Sequence, residues 1–321
     1  MSKGALALLI SGGTENWAPE RWRERFRRGC PGRRVALLPD DRVDPAEVRY
    51  AAVWKPPPGR LAAFPHLQAI FNLGAGVDAV LGDPSLPAVP LVRVADDDLT
   101  RRMTEYVTLH VLMHHRQQRY LDEAQRQAFW APKLQWAADA VRVGIMGLGV
   151  LGRDAAEVLA RIGFRVAGWS RRAKVIPGIE CFAGEAGLAP FLARTDILVC
   201  LLPLTEETRG ILDQRTFSLL ARDGVLGGPV IVNAGRGGLQ VERDILAALD
   251  DGTLAAATLD VFETEPLPME SPLWSHPRVT VTPHNAADTD PDAISTYVAR
   301  QIARHEGGLP LENVVDRHTG Y

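Results

Sequence analysis

The fold of this chain is decided by residues 141–160, which read VRVGIMGLGVLGRDAAEVLA. A short apolar run leads into three glycines spaced as G-x-G-x-x-G, and a segment with helical spacing of apolar residues follows. A strand, this turn and a helix in that order are typical of a dinucleotide-binding domain, because the glycines allow a tight turn, approach of a pyrophosphate and close helix packing. The alternative is a turn with a purely structural role. The predicted cofactor contacts are Gly147, Gly149, Val150, Leu151 and Gly152.

Short apolar runs alternate with helical patterns along the whole chain, and this alternation predicts parallel sheets with crossover helices. From the glycine turn onward, strands are predicted at 141–146, 164–169, 197–202, 230–233, 256–261 and 279–282. Before that turn, strands are predicted at 6–11, 34–38, 51–54, 67–72 and 91–94. Helices are expected at about 15–28, 101–128 and 291–305. The last helix is too short to be a domain and should pack on another part of the chain.

Composition limits the function classes to consider. The 321 residues include 36 Lys and Arg against 39 Asp and Glu, a net charge of −3, so no nucleic-acid partner is expected. The length suggests two domains. No apolar run approaches the roughly 18 residues of a membrane helix, so no membrane partner is expected. The 3 cysteines form no disulfide framework, and the 8 histidines show no ligand spacing. We therefore expect a cytoplasmic protein without a metal site.

A basic turn follows the second strand of the cofactor domain. Its first three residues are Ser170, Arg171 and Arg172, at the point where an NAD-binding chain places an acid for the ribose 2′-hydroxyl group. The first carboxylate after this strand is that of Glu180. Guanidinium groups pair with the 2′-phosphate of NADP, whereas an acid would repel it. The turn predicts a preference for NADP(H), with NAD(H) as a second cofactor, and the alternative is a solvated basic turn.

Three later strands are each followed by a polar side chain suited to catalysis. Arg236, Glu265 and His284 follow the fourth, fifth and sixth strands of this series, and such strand ends share one ligand-binding edge. The arginine can hold a carboxylate by two hydrogen bonds, and the imidazolium can protonate a carbonyl oxygen as hydride arrives. The glutamate would orient the imidazole and stabilise its charged form. Each residue alone could instead be structural: a surface cap, a solvated carboxylate or a buried hydrogen-bonding histidine.

A second glycine-containing turn, Gly74-Ala75-Gly76, follows the predicted strand at 67–72. Its backbone N–H groups can hold an anion. The alternative is a simple connecting turn, which the fold needs in any case.

Several motifs resemble the signatures of the D-isomer-specific 2-hydroxyacid dehydrogenases. They are the glycine-rich turn, LPLTEET at 202–208, NAGRGG at 233–238, LDVFETEP at 259–266 and TPH at 282–284. The resemblance covers nearly the whole chain. It implies an α/β protein with two doubly wound parallel-sheet domains. These are a Rossmann cofactor domain at 101–285 and a flavodoxin-like substrate domain, discontinuous, at 1–100 and 286–321.

The resemblance also implies an activity and the roles of individual residues. The activity is NADPH-dependent reduction of small 2-keto acids such as glyoxylate and hydroxypyruvate, with Arg236, Glu265 and His284 as the catalytic residues. Substrate binding is implied at Trp54, Gly74, Ala75, Gly76 and Arg236. Further cofactor contacts are implied at Leu202, Pro203, Thr208, Ala234 and Asp260. For Trp54 the alternative is core packing, and for Asp260 it is a hydrogen-bonded strand end.

Several alternatives remain open. The substrate could be another keto acid such as pyruvate, or the chain could be a non-enzymatic NAD(P)-sensing protein similar to the corepressors that resemble this family. Formate dehydrogenase resembles the family with glutamine at the acid position, so Glu265 argues against it. The long helix at 101–128 predicts a homodimer face, although its apolar residues could equally be core. Gly235, where the family commonly has alanine, predicts a looser loop around Arg236.

Overall fold

The computed structural model describes residues 3–11, 17–94, 97–288 and 290–317. The chain divides into two compact units, residues 1–99 with 289–321 and residues 100–288. The strands in chain order are β1 (Ala5–Ile10), β2 (Val35–Leu37), β3 (Val48–Trp54), β4 (Ala69–Asn72), β5 (Leu91–Arg93), β6 (Arg142–Met146), β7 (Arg165–Ser170), β8 (Glu180–Ala183), β9 (Ile197–Cys200), β10 (Val230–Asn233), β11 (Ala256–Leu259) and β12 (Val279–Val281). The helices are α1 (Pro19–Gly29), α2 (Asp78–Leu81), α3 (Asp97–His115), α4 (Gln118–Arg126), α5 (Val150–Ile162), α6 (Gly184–Ala193), α7 (Gln214–Ser218), α8 (Glu242–Asp250) and α9 (Pro291–Glu306).

The sheet of the first unit has the order β2-β1-β3-β4-β5, and all of its strand pairs are parallel. This is the flavodoxin-like order. Even-numbered residues of β1 belong to one apolar cluster and odd-numbered residues to another, so both faces of the sheet are covered. A continuous apolar run is what such a two-sided strand requires.

The C-terminal helix α9 packs on the first unit. Asp290 caps the helix by accepting a hydrogen bond from Asp292 N at 3.0 Å. Its buried face includes Ile294, Val298 and Ile302, which lie four residues apart and join the same apolar cluster as the first sheet. The apolar spacing of this short helix therefore buries it against α1 and the sheet.

The sheet of the second unit has the order β12-β11-β10-β9-β6-β7-β8 and is also entirely parallel. When β6 is counted as the first strand of this unit, β8-β7-β6-β9-β10-β11 is the Rossmann order 3-2-1-4-5-6, and β12 is added beyond β11. Apolar clusters cover both faces. The predicted α/β fold with two doubly wound parallel sheets is thus confirmed.

Three local predictions were wrong in detail. The helix expected at 101–128 is two helices, α3 and α4, because Gln117 adopts a left-handed conformation with φ of 55° between them. Strand β8 was not predicted, since it is a half-buried edge strand of four residues. Helix α1 begins at Pro19, whose fixed φ suits a first helical position. The earlier part of the predicted helix, at 15–16, lies outside the described residues.

Among the described ranges, no helix is both long enough and apolar enough to cross a membrane.

Candidate active site

The glycine-rich turn between β6 and α5 has a conformation that depends on its glycines. Gly147 has a φ of 104°, in the left-handed region that favours glycine. A Cβ atom on Gly152 would lie 1.9 Å from the carbonyl oxygen of Gly147, whereas one on Gly149 would meet nothing within 4 Å. The space beside Gly149, at the N-terminus of α5, is therefore open, and an anion there can accept hydrogen bonds from the N–H groups of Val150 and Leu151.

Substituting Gly152 by alanine is expected to lower the free energy of unfolding by about 1–3 kcal/mol, because the new methyl group would overlap the backbone of the turn. Chemical denaturation measures this change. Gly149→Ala is the matched control and should cost less than about 0.5 kcal/mol, because the space above it is open. Equal losses in the two variants would contradict this account of the turn.

The basic turn after β7 presents two arginines to solvent. The side chains of Arg171 and Arg172 are exposed, and Ser170 Oγ donates a hydrogen bond to the carbonyl oxygen of Arg172 at 2.8 Å, which holds the turn closed. Lys174 was not singled out from the sequence, yet its Nζ donates to Leu148 O in the glycine-rich turn at 2.6 Å. The signal for Lys174 in the sequence was its position in the basic run that begins at Arg171. The structure thus links the two turns that were predicted to bind the cofactor.

The loop after β9 carries three predicted cofactor contacts. Leu202 is buried and Pro203 follows it. Thr208 Oγ1 donates to Pro203 O at 2.7 Å and accepts from Thr205 N at 2.8 Å. The Thr208 hydroxyl group therefore closes this loop, and contact of these residues with a cofactor stays a prediction, as it does for the buried Ala234 after β10.

The structure brings two of the three predicted catalytic side chains into direct contact. His284 Nδ1 lies 2.8 Å from Glu265 Oε2, and Glu265 Oε1 accepts from Phe262 N at 3.2 Å. The side chains of His284 and Glu265 are 35% and 23% exposed, so the pair is reachable from solvent. His284 has a φ of 52°, a left-handed conformation that histidine adopts more readily than most residues. Because Nδ1 is bonded to the carboxylate, Nε2 is the ring atom left for a substrate.

Arg236 follows β10, which pairs with β11, and β11 pairs with β12. The three predicted catalytic residues therefore follow three neighbouring strands at one edge of the sheet. Arg236 is half-buried, and its Nη1 donates to Gly235 O at 2.7 Å. Gly235 N in turn donates to Asn233 Oδ1 at 3.0 Å. Two hydrogen bonds thus hold this loop, and the looseness expected from Gly235 stays a prediction.

A buried amide pair that sequence reasoning missed supports the same loop. Asn233 Nδ2 donates to Gln240 Oε1 at 2.8 Å, and Gln240 Nε2 donates to Val261 O at 2.9 Å. Both amide side chains are almost completely buried. They connect the Arg236 loop to the end of β11, from which the Glu265 loop departs. An asparagine that closes an otherwise apolar strand was the signal in the sequence.

Asp260 holds the backbone that follows His284. Its two carboxylate oxygens accept from Thr282 Oγ1 at 2.6 Å, from Asn285 N at 3.0 Å and from Ala286 N at 3.0 Å. Since the Thr282 hydroxyl proton is given to Asp260, Tyr106 must be the donor in the 2.8 Å contact with Thr282. Burial raises the pKa of the Tyr106 phenol well above its ordinary value, which keeps that proton in place. The cofactor contact predicted for Asp260 remains a prediction.

The three histidines of α3 are poor proton donors. Burial lowers the pKa of His110 and His115 below the ordinary value, and it lowers the pKa of His114 to about 4. His114 Nε2 is also 2.8 Å from Thr258 Oγ1. These imidazoles are therefore neutral near pH 7, which leaves the half-exposed His284 as the better candidate acid.

In the first unit, the turn after β4 is shaped by a buried side chain. Asn72 is 2% exposed, and its Nδ2 donates to Gly74 O at 2.7 Å and to Gly76 O at 2.9 Å. A Cβ atom on Gly74 would lie 2.5 Å from Cζ3 of Trp54. The ring of Trp54 therefore packs against the turn that also contains Ala75, and substrate binding by these residues stays a prediction. Asn72, like Asn233, is the last residue of an apolar strand, and sequence reasoning did not identify it as a residue of the site.

The chain is similar to proteins of known activity over most of its length. The family model described as "D-isomer specific 2-hydroxyacid dehydrogenase, NAD binding domain" matches residues 108–286. Glyoxylate/hydroxypyruvate reductase A of Yersinia enterocolitica is 44% identical over 286 residues, which cover 87% of this chain and 90% of the relative. One similar solved structure is that of NADPH-dependent glyoxylate/hydroxypyruvate reductase from Sinorhizobium meliloti, in complex with NADP and sulfate. Its sequence is 48% identical, and the TM-score is 0.93, with 99% of this chain and 100% of the other covered. A second is that of D-isomer specific 2-hydroxyacid dehydrogenase from Xanthobacter autotrophicus Py2, in complex with NADPH and MES. Its sequence is 41% identical, and the TM-score is 0.91, with 99% of each chain covered.

Proposed function

Because the chain belongs to the family of D-isomer-specific 2-hydroxyacid dehydrogenases, we propose that it is an NADPH-dependent reductase that converts glyoxylate to glycolate and hydroxypyruvate to D-glycerate. The observation that carries this proposal is the 2.8 Å contact between His284 Nδ1 and Glu265 Oε2, because it supplies an oriented acid in the sheet that holds the glycine-rich turn. The names of the relatives from Yersinia enterocolitica and Sinorhizobium meliloti support the substrate class and the cofactor.

The residues of the second unit suit NADP(H). The open space above Gly149 and the N-terminus of α5 would receive the pyrophosphate, and the exposed Arg171 and Arg172 would pair with the 2′-phosphate. When bound, NADPH supplies the hydride for the carbonyl carbon of the substrate. NADH lacks the 2′-phosphate and would be the weaker cofactor.

The proposed mechanism assigns one role to each catalytic side chain. Arg236 binds the substrate carboxylate through two charge-assisted hydrogen bonds and thereby orients the adjacent carbonyl group. His284 donates a proton from Nε2 to the carbonyl oxygen. Glu265 keeps the ring in place through Nδ1 and stabilises its positive charge. In the reverse direction the neutral imidazole of His284 would accept the hydroxyl proton.

Initial rates of NADPH oxidation with glyoxylate, hydroxypyruvate, pyruvate and phenylpyruvate, with NADH in parallel, test this function. We expect kcat/KM for the two named substrates to exceed that for phenylpyruvate by at least about tenfold, because a site that fits these small keto acids would discriminate against a bulkier side chain. Equal use of NADH would contradict the cofactor preference. Tight NADPH binding without turnover of any keto acid would contradict the reductase and favour a cofactor-sensing protein.

We propose that the chain forms a homodimer through the segment around α4. Large apolar side chains are exposed there, among them Phe129 at 64%, Trp130 at 92% and Leu134 at 65%, and an apolar patch of this kind favours a protein partner. Light scattering at micromolar concentration is expected to give twice the 35.0 kDa of one chain. Trp130→Ser should shift the population toward monomer, and a wild-type protein of 35.0 kDa would contradict the dimer.

The proposal includes a cytoplasmic location, which the cysteines support. Cys30, Cys181 and Cys200 are all free thiols, and Cys30 and Cys200 are buried. Proteins of reducing compartments keep their thiols in this state.

A further inference from the structure

One acidic side chain lies against the basic turn that is proposed to bind the 2′-phosphate. Glu207 Oε2 is 3.9 Å from Arg171 Nη1. The side chain of Glu207 is 73% exposed and that of Arg171 is 42% exposed, so a ligand can reach both groups. The Arg171 guanidinium group therefore has an exposed carboxylate beside it.

Glu207 is held near Arg171 by its own loop. Thr205 Oγ1 donates to Glu207 Oε2 at 3.1 Å, and Thr205 N donates to Thr208 Oγ1 at 2.8 Å. Thr208 Oγ1 closes the loop by donating to Pro203 O at 2.7 Å. The carboxylate thus belongs to a hydrogen-bonded turn after β9, and the bond from Thr205 Oγ1 favours its position next to Arg171.

We propose that Glu207 competes with the 2′-phosphate of NADP(H) for Arg171 and thereby limits the preference for the phosphorylated cofactor. This inference rests on the proposed function. A phosphate that binds Arg171 either takes the place of the carboxylate or lies close to its negative charge, and each effect weakens binding. NADH has a hydroxyl group at that position and meets neither effect. Glu207 is therefore a specificity-determining residue that weakens NADPH binding more than NADH binding and eases release of NADP⁺ after turnover.

The test measures cofactor affinity without turnover. Fluorescence titration with NADPH and NADH, and calorimetric titration with 2′,5′-ADP, are carried out on the wild type, Glu207→Gln and Glu206→Gln. Glutamine at 207 keeps an acceptor for Thr205 Oγ1 and removes the charge. We expect Glu207→Gln to tighten NADPH and 2′,5′-ADP binding by about twofold to fivefold, the upper part of the range for an exposed pair of charges. NADH affinity should change by less than about twofold.

Glu206→Gln controls for net charge, because it removes an exposed carboxylate from the same loop one residue away. A tightening by Glu206→Gln equal to that by Glu207→Gln would overturn the specific role of Glu207. An equal effect of Glu207→Gln on NADH would overturn it as well, and so would no effect on NADPH. The expected gain should shrink when ionic strength is raised from about 0.02 M to about 0.5 M, because salt screens exposed charges.

A double-mutant cycle with Arg171→Ala identifies the partner of Glu207. If the carboxylate competes for Arg171, Glu207→Gln should give a smaller gain in the Arg171→Ala background, because only the direct repulsion of the phosphate is left to relieve. A full gain there would overturn the competition. Failure of the proposed function can be told apart from failure of this inference. If only the function failed, no keto acid would be reduced, but Glu207→Gln would still tighten NADPH binding. A wild-type protein that binds NADH but not NADPH would overturn both proposals.

Discussion

Replacing His284 by asparagine is expected to lower kcat for keto-acid reduction by about 10²- to 10⁴-fold, the usual contribution of a positioned general acid. Asparagine tolerates the left-handed backbone conformation of residue 284, whose φ is 52°, so the loop should keep its shape. It still offers a donor to Glu265 but has no proton to give to the carbonyl oxygen. Steady-state kinetics at saturating NADPH measures the loss, and NADPH titration should show an unchanged affinity.

Glu265→Gln is the matched variant for this prediction. Glutamine keeps a hydrogen-bonding group next to His284 Nδ1, now 2.8 Å from the carboxylate, and removes the charge that stabilises the imidazolium. The rate loss should be smaller than that of His284→Asn, because the ring stays in place and keeps Nε2 as its proton-donating atom. An unchanged kcat in His284→Asn would refute the assignment of this residue as the acid.

Replacing Arg236 by glutamine is expected to lower kcat/KM for glyoxylate by about 10²- to 10⁴-fold. The reason is the loss of two charge-assisted hydrogen bonds to the substrate carboxylate, each of which contributes about 1.5–3 kcal/mol. The substitution removes the hydrogen bond from Arg236 Nη1 to Gly235 O, but the loop should keep its shape because the bond from Gly235 N to Asn233 Oδ1 remains. Kinetics with glyoxylate measures the loss, and the thermal midpoint of unfolding should hardly change.

Arg236→Lys separates charge from geometry. Lysine keeps the positive charge but lacks the planar fork that binds a carboxylate at two points, so it should recover only part of the lost kcat/KM. Full activity in Arg236→Lys would show that charge alone suffices. An Arg236→Gln variant as active as the wild type would remove this residue from the site.

The sequence predicted most of the fold because strand and turn signals are local. The continuous apolar runs identified the buried parallel strands, and G-x-G-x-x-G marked the turn between β6 and α5. The break between α3 and α4 at Gln117 was not predictable, since neither glycine nor proline marks it. Strand β8 was missed for a similar reason, because an edge strand needs no continuous apolar pattern.

The candidate site was predictable only in part. Residue type and position after a strand pointed to Glu265 and His284, and the structure places the two side chains in contact. The same reasoning did not find Asn72, Asn233 or Gln240, because a buried amide is recognised by its hydrogen-bond partners and these come from other segments.

The sequence by itself determined the fold class, the family and the residue types offered at the strand ends, since these depend on local periodicity and on short motifs. Only the tertiary structure decided how those residues are held: Asp260 fixes the backbone after His284, and Glu207 lies beside Arg171. The physical reason is that hydrogen bonds and ion pairs act over a few ångströms. Residues 22 or more positions apart in the chain reach that distance only when the sheet brings their strands and loops together.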